Sequence, residues 1–114
     1  MNNANIENNL LHMGDMEIAF ENKISQLKQE GNRFFVLLDI PAKEELCYDD
    51  YHNIYCYGND GRKVWQIGKR PKGDDAVFTM IDMVDSVLYA NDFLGRRFKV
   101  DKETGIVGDM NITK

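Results

Sequence analysis

The chain has 114 residues, the length of a single domain, and 43% of them are hydrophobic while 29% are charged, as in an ordinary globular protein. An aromatic content of 11% excludes disorder throughout, and two cysteines cannot form a disulfide framework. The net charge of −5 argues against a nucleic-acid partner, which needs a basic surface, and favours a basic protein partner.

No segment predicts insertion into a membrane or export. The longest apolar run, residues 34–38, has the length of a strand and is far shorter than the roughly 20 residues that span a bilayer. The first residues show neither the basic nor the apolar part of a signal peptide. We therefore expect a cytoplasmic protein without a membrane partner, in which Cys47 and Cys56 are reduced thiols.

The N-terminal third predicts a tail followed by the first strands. Residues 1–14 are rich in asparagine and predict a flexible or helical tail, so that a single β domain occupies residues 15–114. Residues 17–20 indicate a strand, whereas residues 24–28 fit either a strand or a helix. The strongest strand pattern runs from Phe34 to Ile40 and ends at Pro41, because proline cannot donate to a sheet ladder.

The middle of the chain predicts a hairpin between two polar connections, residues 42–52 and 68–75. Residues 53–57 and 63–67 alternate as strands, and the Gly-Asn-Asp-Gly sequence between them favours a tight turn. We expect Ile54 and Cys56 on one face of this hairpin and Trp65 with Ile67 on the other.

The C-terminal third predicts further short strands. They cover residues 76–83, 86–90 and 96–100, and the tight turn Asp101–Gly105, with Gly105 in the left-handed conformation, leads to a last strand from Ile106. The expected fold is all-β, or mainly β with a short N-terminal helix. It is a twisted antiparallel meander of seven to eight short strands.

Residues 53–67 and 86–106 share a plan of apolar strand, Asn/Asp/Gly turn and basic-apolar strand. Within the second segment, Leu88-Tyr89-Ala90, Gly95 and Asp101–Gly105 resemble a blade of quinoprotein-like propellers. A closed propeller needs four or more blades, and this chain is long enough for two at most, so a monomeric propeller is excluded.

Most of the chain from Met16 onward resembles small, acidic bacterial immunity proteins of polymorphic or contact-dependent toxin systems. The resemblance implies a non-catalytic protein without a cofactor that neutralises a cognate toxin. The matching residues are strand and turn residues, so it transfers no binding site. The matching segments are Phe20–Ile24, Val36–Pro41, Asn53–Tyr57 with its Asn59-Asp60-Gly61 turn, Val64–Ile67 and Asp101–Gly105.

Acidic and aromatic side chains concentrate in two polar loops, and they form the candidate surface for binding a partner. Carboxylates beside aromatic rings suit a basic toxin domain, for which a nuclease is the expected activity. The alternative is that they are solvated loop residues, as aspartates in turns commonly are. The candidate residues are Glu44, Glu45, Tyr48, Asp49, Asp50, Tyr51, His52, Asp74 and Asp75.

Weaker patterns leave other functions open. Cys47 and His52 form a potential nucleophile and base, and with Cys56 an incomplete metal-ligand set, but neither has the spacing of known sites. The basic run of residues 69–72 fits a solvated face better than a phosphate site. Homo-oligomerisation through an open sheet edge is a further alternative. We therefore predict no catalytic residue and no metal.

Overall fold

Three antiparallel sheets make up the computed structural model, which describes residues 4–71 and 73–110. Each sheet is a meander of consecutive strands: an N-terminal sheet of β1–β3, a middle sheet of β4–β7 and a C-terminal sheet of β8–β11. The described ranges contain these strands and one short helix: β1 (Ala4–Glu7), β2 (Leu10–Met13), β3 (Met16–Ala19), β4 (Ile24–Glu30), β5 (Arg33–Leu38), α1 (Tyr48–Tyr51), β6 (Ile54–Gly58), β7 (Lys63–Gln66), β8 (Phe78–Val84), β9 (Val87–Asp92), β10 (Arg97–Val100) and β11 (Val107–Met110).

Strand β5 of the middle sheet is buried on both faces. Successive side chains of a strand point to opposite faces. In β5, Phe34 and Val36 therefore pack with the N-terminal sheet, whereas Phe35 and Leu37 pack with the C-terminal sheet. This arrangement explains why the strongest strand in the sequence is an unbroken apolar run rather than an alternating one.

The prediction of a mainly β fold is confirmed, but the predicted N-terminal helix and the count of seven to eight strands are wrong. Residues 4–13 form β1 and β2, and Asn8 makes the turn between them with a φ of 55°. Leu11 and Met13 are separated by the two-residue period of a strand and are buried in the core that contains Phe34. Residues 24–28, which fitted either a strand or a helix, lie in β4, which begins at Ile24. Residues 1–3 lie outside the described residues.

The hairpin of β6 and β7 has the predicted turn but not the predicted faces. Cys56 is paired directly with Trp65 in the strand register, and directly opposed residues share a face. Ile54, Cys56, Trp65 and Ile67 therefore all enter the same core, and the expectation of two faces is wrong.

Gly105 confirms the predicted left-handed turn. Its φ is 78°, and its N–H donates to the carbonyl oxygen of Asp101 at 2.8 Å. A Cβ at this position would lie 2.7 Å from the indole ring of Trp65, so the close approach also requires glycine.

Two side-chain amides join the middle and C-terminal sheets. The amide nitrogen of Asn53 donates to the carbonyl oxygens of Leu38 and Phe78, both at 2.8 Å, and its oxygen accepts from the N–H of Phe78 at 3.0 Å. The amide oxygen of Gln26 accepts from the N–H of Ile81 at 2.7 Å. Backbone groups at the edge of β8 therefore have partners where no neighbouring strand supplies them.

The two segments with a shared plan occupy different places in their sheets. Residues 53–67 include β6 and β7, the last two strands of the middle sheet, whereas residues 86–106 include β9 and β10, the central pair of the C-terminal sheet. The similarity is therefore between hairpins and not between whole sheets.

Candidate functional site

The loop that carries most of the predicted residues is closed by Asp50, in the short helix α1. Its carboxylate accepts from the backbone N–H of Cys47 at 2.9 Å and lies 2.8 Å from the ammonium of Lys43. Burial alone would raise the pKa of Asp50, but the bonds from Lys43 and Cys47 outweigh it and lower the pKa. Asp50 thus holds residues 43–50 together.

His52 lies inside the protein beneath an exposed aromatic ring. One ring nitrogen, Nδ1, is 2.7 Å from the carbonyl oxygen of Tyr48, and the other, Nε2, is 3.0 Å from a carboxylate oxygen of Asp74. The Tyr48 ring stacks on the imidazole, with the ring centroids 3.9 Å apart, and 55% of its surface remains exposed. The imidazole therefore fixes Tyr48 in an outward-facing position.

A buried arginine, Arg70, connects the loop of residues 68–75 to the C-terminal sheet. The guanidinium of Arg70 lies 3.3 Å from Asp74 and 3.5 Å from Asp92, and it also donates to the carbonyl oxygen of Ala76. It stacks on the ring of Phe78 at 3.9 Å. Burial lowers the pKa of Arg70, and the two carboxylates oppose this effect. Arg70 therefore neutralises one carboxylate of the loop of residues 68–75 and one at the end of β9.

The same network builds the turn between β9 and β10. Asp92 accepts from the N–H groups of Leu94 and Arg96 at 3.1 and 3.0 Å, and from the Arg96 guanidinium at 2.9 Å. Arg96 also pairs with Asp75. The turn presents two apolar side chains to solvent, with Phe93 76% and Leu94 57% exposed.

Comparison with known proteins gives a family without an assigned activity. Residues 1–112 match the family described as Domain of unknown function (DUF7957). The chain belongs to this family. It matches no curated protein and no solved structure. The chemistry of this DUF7957 chain therefore has to be argued from its own geometry.

The structure separates the predicted partner-binding residues into exposed and buried ones. Asp50 and His52 are buried, and Asp74 is largely covered by His52 and Arg70, so these three side chains support the surface rather than form it. Tyr51 is half-buried. The exposed members are Glu44, Glu45, Tyr48, Asp49 and Asp75.

Sequence reasoning missed the buried charges of the DUF7957 chain. Arg70 was expected on a solvated basic face, but its side chain lies inside the protein with Asp92. The neighbouring Lys69 is exposed, so composition alone does not distinguish the two. Lys72, from the same run, lies outside the described residues.

The arrangement gives no support to chemistry at Cys47. Cys47 is exposed, whereas both ring nitrogens of His52 face other groups, as described above. Cys56 lies in the core of the middle and C-terminal sheets, where burial raises its pKa despite the nearby Arg33. Within residues 4–71 and 73–110, no three His, Cys, Asp or Glu side chains are grouped to hold a metal ion. In the same ranges, no helix has the length and apolar character that crossing a bilayer requires.

Proposed function

We propose that this chain is an immunity-type inhibitor, which binds a cognate bacterial toxin in the cytoplasm and covers its active or substrate-binding face. The observation that carries the proposal is the geometry of Tyr48, an exposed ring held in place by the buried His52. Fixed aromatic side chains are typical anchors of protein interfaces, because little conformational freedom is lost when they bind.

Carboxylates surround this anchor. We call the exposed residues Glu44, Glu45, Tyr48 and Asp49 the helix surface. Asp75 is partly neutralised by Arg96, so the helix surface carries most of the uncompensated charge among the predicted residues. A negative surface on a chain of net charge −5 accelerates association with a basic protein, and nucleases that bind phosphate backbones are basic.

The proposal is tested by identifying a partner and then substituting the helix surface. A tagged chain is used to isolate stoichiometric partners from the native host after a high-salt wash. The partner must kill cells when expressed alone, and co-expression of the chain must restore growth. Tyr48→Ala is expected to weaken binding by roughly tenfold or more, the range of an interface anchor. The double substitution of Glu44 and Glu45 by lysine is expected to lower the association rate.

The matched control is the double substitution of Glu17 and Asp60 by lysine, which makes the same charge change at exposed positions outside the helix surface. Unaltered affinity in the Tyr48→Ala variant, or equal losses in the two double-lysine variants, would contradict the proposed surface.

Self-association is the second candidate function, and the outer face of the C-terminal sheet favours it. A bulge between Phe78 and Met80 turns Met80 outward, so that it is 44% exposed. Val84 is also exposed on β8. Light scattering over a range of concentrations distinguishes this candidate, because a dimer through this face gains mass on concentration and Met80→Glu abolishes the gain.

A further inference from the structure

A small aromatic cavity lies beside the helix surface, between the β3–β4 connection, β6 and α1. Its volume is about 190 Å³. Tyr55 and Tyr57 are two residues apart on β6 and therefore share a face. The Phe20 ring contacts both, with ring centroids 5.7 and 5.6 Å apart, so that three aromatic rings form one wall.

The cavity combines these rings with carboxylates. Glu21 and Asp49 line it and are exposed, and the amide of Gln66 donates at 3.1 Å to both Asp49 and the Tyr55 hydroxyl. Gln66 thus fixes a carboxylate beside an aromatic ring. The pKa of Tyr55 rises to about 12, because of burial first and then the negative charge of Asp49.

The remaining charges at the cavity are accounted for. Asp50 also lines it, but its carboxylate is paired with Lys43. The ammonium of Lys63 lies 5.9 Å from the centroid of the Tyr55 ring. Among the contacts of the described residues, no ion pair joins Lys63 to Glu21 or to Asp49. Two carboxylates therefore line the cavity, and two lysines offset them in part: Lys63 beside the Tyr55 ring, and Lys43, which is paired with Asp50 and also interacts electrostatically with Glu21.

We propose that this cavity binds a basic side chain, an arginine or a lysine, of the protein partner. Faces of aromatic rings attract cations, and adjacent carboxylates add charge pairing that a neutral or acidic side chain cannot use. The volume is below the roughly 300 Å³ at which pockets begin to hold whole small molecules, and it suits one side chain. That the side chain belongs to a toxin rests on the proposed function, whereas the binding of a cation by this cavity does not.

The test uses the side-chain mimics n-butylguanidinium and n-butylammonium, with neutral n-butylurea as the matched control. Chemical shifts of the Tyr55 and Tyr57 rings are followed by nuclear magnetic resonance during titration of the full chain. We expect saturable shifts with the two cations in about the millimolar range, as for a ligand of so few atoms, and none with the urea.

Three variants, one of them a control, separate binding from structural damage. Asp49→Asn is expected to weaken binding by about two- to fivefold, the range of an exposed charge pair, whereas Asp60→Asn, in the turn between β6 and β7 and not among the residues that line the cavity, leaves it unchanged. Lys63→Gln removes a competing cation and is expected to strengthen binding, which unfolding cannot mimic. Equal shifts with butylurea, absence of saturation, or indifference to Asp49→Asn would overturn the proposal.

Failure of this proposal is distinguishable from failure of the proposed function. If the cations do not bind but the chain still rescues cells from a toxin, the cavity alone is wrongly assigned. If the cations bind and no toxin partner exists, the cavity stands and the immunity-type function falls.

Discussion

Replacement of Asn53 by alanine tests the seam between the middle and C-terminal sheets. The substitution removes two hydrogen bonds to the carbonyl oxygens of Leu38 and Phe78 and one from the N–H of Phe78, all in a fully buried position. Each buried group left without a partner costs about 1–3 kcal/mol, so three such groups together cost about 3–5 kcal/mol once neighbouring atoms relax. A domain of this size has a total free energy of unfolding of about 6–17 kcal/mol.

The Asn53→Ala variant should therefore fold, but its Tm should fall by roughly 10–20 °C. Urea denaturation followed by far-UV circular dichroism measures the free energy, and Asn32→Ala, at an exposed turn, serves as the control with an expected change below about 0.5 kcal/mol. A loss smaller than about 1 kcal/mol for Asn53→Ala would show that the amide does not join the sheets as described.

Three further predictions concern the buried charges and the thiols. Arg70→Met should destabilise the protein by about 2–3 kcal/mol in urea denaturation, because the buried Asp92 then keeps only Arg96 as a charged partner and the carbonyl oxygen of Ala76 loses its donor. Lys43 lowers the pKa of Asp50 in the folded protein, so the ionised Asp50 stabilises the fold. This stabilisation is complete above the unfolded pKa of 3.8, and it is lost as the pH falls below that value. Acid titration of the wild type and Asp50→Asn should therefore show a weaker pH dependence in the variant; identical curves would contradict this. A thiol reagent should modify Cys47 but not Cys56 in the native chain, and both in denaturant, as counted by mass spectrometry.

The sequence predicted well the elements whose conformation is determined by residues close to one another in the chain. The apolar run of residues 34–38 predicts a strand because it is too short for a helix, although the strand ends at Leu38 and not at Ile40. Gly105 predicts a left-handed turn because its neighbours supply a turn sequence. The spacing of Leu11 and Met13 was consistent with a strand, but the four-residue strand that contains them gains its stability from packing on β5, which is remote in sequence.

The parts of the site that sequence did not predict depend on contacts across sheets. Arg70 and Asp92 are separated by 22 positions, and each occurs among other polar residues, so nothing in the sequence marks them as a buried pair. His52 appeared to be a surface residue of an acidic loop, and it became a support for Tyr48 because Asp74 covers its far side. The exposure of the carboxylates could be predicted without tertiary information, because charged loop residues are usually solvated.

The burial of β5 on both faces makes two adjacent residues independent reporters. Phe34 contacts the layer formed by the beginning of the chain, whereas Phe35 contacts the layer formed by its end. A fluorine label on each ring would thus follow a different half of the protein, although the two α-carbons are less than about 4 Å apart. The Tyr55–Tyr57 cavity lies on the Phe34 side, and the seam made by Asn53 lies on the Phe35 side. A ligand that tightens one layer without the other would move only one of the two resonances.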